Sequence, residues 1–217
     1  MKAKKSLIDS MALIGLGINA TLNNPEIQKK MAPFGYTEEV MNTGKAKHTA
    51  TQSFIEVHRR EYGEQYTATA AYNALWNAAY DEYRPILTLS RVALKNKQGA
   101  LHSLRATGTR NRSVTGFISD ARLLYNNLLS QAEYLTEVTK LGVTKKRLTA
   151  AIGNIEALSR AYETFFKEKG EAQDATVKRD ALFDDLYNWY SDFRAVARLA
   201  LNDSPQLLEK LGIVVKR

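Results

Sequence analysis

The 217-residue chain contains no cysteine, four prolines, three histidines and two tryptophans. Without thiols it has no disulfide framework, no thiolate zinc site and no sulfur nucleophile. The prolines and the twelve glycines collect in no tract, and 44% hydrophobic against 25% charged residues is the balance of a chain that folds throughout. Long apolar runs are also missing. The stretch Met11–Ile18, behind Lys2, Lys4 and Lys5, resembles an export signal but is short and is approached by Asp9. It reads as part of a first helix, and nothing nears the roughly 20 apolar residues of a membrane span. A membrane partner is therefore not expected, and the expected location is cytoplasmic.

Motifs of catalysis are scarce as well. There is no H-E-x-x-H and no phosphate-binding G-x-x-x-x-G-K-[ST], and Gly15-x-Gly17 falls inside a helical pattern instead of after a strand. A di-iron bundle needs Glu three residues before His on two helices. Here Lys45, Ile55 and Gly99 precede His48, His58 and His102 at that spacing. No metal, cofactor or catalytic residue is expected, and the sequence reads as non-enzymatic.

What the chain does have is an internal repeat. Thr37–Leu104 aligns without a gap on Thr144–Leu211, with 17 identities in 68 positions. Apolar residues recur at spacings of three and four, and no strand-like alternation is sustained. The expected fold is all-α, a tandem duplicated helical bundle. Each of the two copies, 1–107 and 108–217, would hold three long helices and a short closing helix, with a linker at about 105–113. The spacing predicts helices at about 5–32, 38–62, 67–95 and 98–105, then 113–139, 145–169, 174–202 and 205–211. Gly35 and Gly142 are expected to end helices, with Thr37 and Thr144 capping the next. Gly63 and Gly170 are expected to do the same ahead of Thr67 and Asp174, and Ser204-Pro205 to open the last helix. Asn23-Asn24-Pro25 predicts a break in the first copy only.

Differences between the copies nominate sites. The second helix of copy two carries Leu148, Ala151, Ile155, Leu158, Tyr162 and Phe165 on one stripe, where copy one has Met41, Gly44, His48, Thr51, Ile55 and His58. On the third helix Glu82 stands where copy two has Trp189. A turn near residue 65 would bring His48 and Glu82 to one level, because each lies 17 residues from it. This predicts either a buried ion pair or a polar pocket of His48, Glu82, Thr51 and His58 that takes a small ligand or metal. His48 and His58 sit roughly 15 Å apart on one helix and do not share an ion.

A second stripe is aromatic and basic. Tyr72, Trp76, Tyr80 and Tyr83 form it in copy one; Tyr80 and Tyr83 recur as Tyr187 and Tyr190 in copy two, and Arg91 recurs as Arg198. Such residues suit either the seam between copies or an interface with a protein, self or other. The net charge of +8 and the linker arginines Arg105, Arg110 and Arg112 keep nucleic-acid binding as an alternative. The function read from the sequence is a helical interaction or scaffold protein. Its rivals are a nucleic-acid binder and a ligand pocket in copy one.

Overall fold

The computed structural model describes residues 6–109 and 111–214, and within them the chain is helical with no β-strand. The elements are α1 (Leu7–Leu22), α2 (Pro25–Met31) with a 3-10 turn at Ala32–Phe34, α3 (Glu38–Ala93) and α4 (Gln98–Ser103). They continue as α5 (Val114–Ser130), α6 (Ala132–Thr139), α7 (Lys145–Ala200) and α8 (Pro205–Lys210).

Helix starts are set by side chains that accept otherwise orphaned N–H groups. Ser6 Oγ accepts from Asp9 N at 3.1 Å, Asn24 Oδ1 from Glu26 N at 3.0 Å, and Ser113 Oγ from Gly116 N at 3.1 Å. Thr144 Oγ1 accepts from Arg147 N at 3.2 Å, as the sequence predicts for a cap there. The stops at Gly35 (φ 88°) and Gly142 (φ 83°) are left-handed, a region glycine enters without a Cβ clash.

Three expectations fail. Gly63 and Gly170 stop nothing, so the second and third expected helices of each half are one 56-residue helix. Neither glycine has positive φ, and neither has a neighbour within 4 Å of an added Cβ. Glycine ends a helix only where a left-handed turn follows; otherwise it weakens an exposed helix by about 1 kcal/mol, which flanking Arg, Lys, Glu and Gln tolerate. Thr67 caps nothing either: its hydroxyl turns back to Gly63 O at 3.0 Å, a contact made inside a helix. The break expected in the first half alone occurs in both, since Gln131 is extended (φ −102°, ψ 102°) between α5 and α6.

A continuous helix makes a checkable prediction. Gly63→Ala and Gly170→Ala should each raise stability by about 0.5–1 kcal/mol. Gly142→Ala, forced to positive φ, should lower it. Thermal unfolding of the three variants tests this, and a loss at Gly63 equal to that at Gly142 would restore a turn there.

The long helices also decide where the cores lie. The chain forms two compact units: one of residues up to Tyr62 together with Glu171 onward, the other of Gly63–Gly170. The compact units therefore divide at 62/63 and 170/171, cutting both sequence halves, instead of at the 107/108 boundary. In the first unit α1 and α2 supply Ile14, Ile18, Ile27 and Met31, which bury against Leu186 and Phe193 of α7 and Leu211 after α8. In the second, Ile86 of α3 and Leu104 after α4 bury with Leu124 and Tyr125 of α5 and Leu148 and Ile155 of α7. Each core thus joins residues from both sequence halves.

Candidate functional site

The first unit holds His48, Thr51 and His58, the polar residues on a stripe that is apolar in the other half. His48 Nε2 lies 3.0 Å from Met11 O, so the ring donates to a carbonyl of α1. Gly15 makes room for it, because a Cβ there would come 3.0 Å from Nε2. Thr51, fully buried, shares its hydroxyl proton between Lys47 O at 2.9 Å and Leu182 O at 3.3 Å. Arg179 donates to His58 Nε2 at 2.9 Å, and the His58 ring rests on Tyr62 with centroids 4.6 Å apart. Burial first, then the adjacent Arg179 charge, lowers the His58 pKa below the ordinary histidine value, with Asp180 opposing. Each of these groups is committed to a different partner, so they do not form one ligand set.

Glu82 belongs to the second unit, and the expected pairing with His48 does not occur. The physical reason is the continuity of α3: with no turn near residue 65, nothing folds Glu82 back to His48. Arg147 of α7 holds the carboxylate instead, through Nε at 2.5 Å and Nη2 at 3.2 Å, a bidentate pair in which both side chains are about one-third exposed. Nearby, burial and then the Glu82 charge push the Tyr125 hydroxyl pKa far up.

Gly44, on the same stripe as His48, is covered from α7. A Cβ built on Gly44 would overlap the six-membered ring of Trp189, and that indole stacks on Phe193 with centroids 5.8 Å apart. The small residue of one half fits the large residue of the other.

Most of the aromatic stripe is packing. Tyr72 stacks on Phe165 at 5.2 Å, Trp76 sits 4.9 Å from Phe117, and Tyr83, 4% exposed, meets Phe117 edge-on at 5.2 Å. In the first unit Tyr190 is buried and donates to Leu13 O at 3.2 Å. Tyr80 and Tyr187 differ, being 41% and 46% exposed. The Arg84 guanidinium lies 5.8 Å from the Tyr80 ring, and Arg198 is exposed. Arg91 is used inside the fold, donating Nε–H to Ala106 O at 2.6 Å.

Of the linker arginines, Arg112 is exposed and Arg110 lies outside the described residues. Arg105 is anchored: its Nη1 meets Asp120 Oδ1 at 2.9 Å, and Asn111 Nδ2 approaches the same oxygen at 3.3 Å. Asp120 is 3% exposed and sits on the apolar face of α5 between Phe117 and Leu124. Sequence reasoning missed it, although a lone carboxylate at the position equivalent to Leu13 is a visible signal. Beside this pair a recess of about 500 Å³ is lined by His102, Arg105, Thr107, Thr109 and Leu123 among others.

Compared with known proteins, the chain matches no family model, no curated protein and no solved structure. No described helix is long and apolar enough to cross a membrane.

Proposed function

We propose that the chain is a non-enzymatic helical interaction protein built by tandem duplication, presenting an aromatic and basic helix face from each unit to a protein partner. One observation carries the reading. Large apolar residues are left exposed at the same positions in both halves: Leu16 and Leu123, Phe34 and Leu141, Tyr80 and Tyr187, Val92 and Leu199, each pair 107 residues apart. Single exposed apolar residues are ordinary, but retention at matching positions fits a surface kept for contact. The matching order of elements, with α3 and α7 both 56 residues long and α4 and α8 both six, supports the duplication. His48, Thr51, His58 and Glu82 each have a hydrogen-bond partner within the chain, which argues for the structural role over the ligand pocket.

The first partner to test is a second copy. Light scattering across a hundredfold concentration range should show a mass above the 24.4 kDa of one chain, returning to that value in Tyr80→Ser/Tyr187→Ser. An assembly indifferent to both substitutions would remove these tyrosines from the contact, and a monomer throughout would remove self-association.

Nucleic-acid binding is the second reading, favoured by Arg84 over the exposed Tyr80 ring and by the net charge of +8. Affinity for a mixed oligonucleotide should then fall steeply between about 50 and 200 mM salt, and no binding at the lower salt eliminates it.

A further inference from the structure

We propose that the recess at the α4–α5 turn of the second unit binds the phosphate group of a small phosphorylated molecule. Arg105 has φ 50°, the only positive value outside glycine among the described residues. The equivalent helix end in the other half is closed by Gly212 at φ 71°, and the closing bonds match: Ala106 N to Leu101 O at 2.8 Å, Ile213 N to Leu208 O at 3.0 Å. The turn itself therefore calls for glycine, and a side chain there costs about 1 kcal/mol or more. Strain kept at such a point marks a side chain with a task.

That side chain is held in place by a residue the other half lacks. Asp120 corresponds to Leu13, and a Cβ on Gly212 would lie 3.3 Å from Leu13 Cδ2, an apolar contact with no room for an ion pair. In the second unit the buried Asp120 accepts from Arg105 Nη1 and from Asn111 Nδ2. A guanidinium carries five N–H donors, and Arg105 remains 52% exposed at the recess wall. Asp120 acts as its positioner, fixing a fork that would otherwise swing freely.

The recess suits an anion. Its lining includes Arg105, His102 and the hydroxyl of Thr109, with no carboxylate among the lining residues; the Ser103 hydroxyl is committed to Ala100 O at 2.9 Å. Gly108, at φ 76°, turns the chain around it, while Arg91 ties the turn by donating to Ala106 O. A guanidinium fork with a hydroxyl on the same recess wall matches the oxygens of a phosphate. Leu123, 38% exposed, offers an apolar wall, and about 500 Å³ falls in the range of small-molecule sites. The ligand class is accordingly a phosphate monoester with a compact organic group.

Titration calorimetry with inorganic phosphate and with phenyl phosphate tests the site. Saturable binding of both is expected, tighter for phenyl phosphate. Arg105→Gly/Asp120→Leu copies the pair of the other half, so it should keep the fold and lose affinity about tenfold or more. Thr109→Glu, at an exposed loop position, places a carboxylate in the recess and should abolish binding with an unchanged unfolding midpoint. Absence of saturable binding, or equal binding by both variants, overturns the proposal. An oligonucleotide that binds more tightly than phenyl phosphate and is lost with the same substitutions overturns the small-ligand assignment in favour of nucleic acid. Tyr80 and Tyr187 are untouched throughout, so this outcome is independent of the interaction reading.

Discussion

Gln65→Pro is expected to destabilise the protein by about 3 kcal/mol and to lower Tm by roughly 6–12 °C. Residue 65 lies mid-way along α3. Proline there removes the N–H that reaches back to the carbonyl of Glu61, and its ring collides with that carbonyl. Around it the helix has no other break: Thr67 and Thr69 return their hydroxyls to Gly63 O and Gln65 O at 3.0 and 2.7 Å. In a helical hairpin with its turn at 63–66 the same substitution would be close to neutral, because proline belongs in such turns. Thermal unfolding followed by far-UV circular dichroism separates the two, and an unchanged midpoint would sink the continuous helix.

Gly44→Leu is expected to cost about 3 kcal/mol, through overpacking and not through loss of any polar contact. The indole of Trp189 already occupies the space above Gly44, and it cannot retreat because it stacks on Phe193 and meets Tyr36 edge-on with centroids 6.3 Å apart. Trp189→Leu should make room, so the double variant should be more stable than the sum of the two single losses. Strict additivity in chemical denaturation would show that the two residues do not touch.

That pair also explains what was and was not legible in the sequence. Helical periodicity, the caps at Thr37 and Thr144 and the left-handed stops at Gly35 and Gly142 were readable because each is a local rule. Gly63 and Gly170 were misread because glycine's meaning depends on the φ that follows, which composition does not carry. No proline marks the break at Gln131; Asn127 near it donates its side-chain N–H to Ser103 O at 2.8 Å, a tertiary contact invisible from spacing.

The differences between the halves pointed to real places but to wrong partners. His48 was set beside Glu82 of its own half, whereas Glu82 is answered by Arg147 of the other; Gly44, on the His48 stripe, likewise has Trp189 of the other half as its complement. Comparing equivalent positions finds a departure from the common pattern. It does not say what compensates that departure, because a facing residue need not come from the same half. Asp120 went unnoticed for a related reason: its helix lies before the stretch where the halves align by identity, so Leu13 was never set against it.

The division at 62/63 and 170/171 also orders events on the ribosome. Residues 63–170 are one uninterrupted stretch and can close their core once they have emerged, while the first sixty residues must wait for the segment after Glu171 to be translated. The amino-terminal third of the chain, carrying Ile14, Ile18, Ile27 and Met31, is therefore the part held longest without its partner surface, and the part most in need of protection during synthesis.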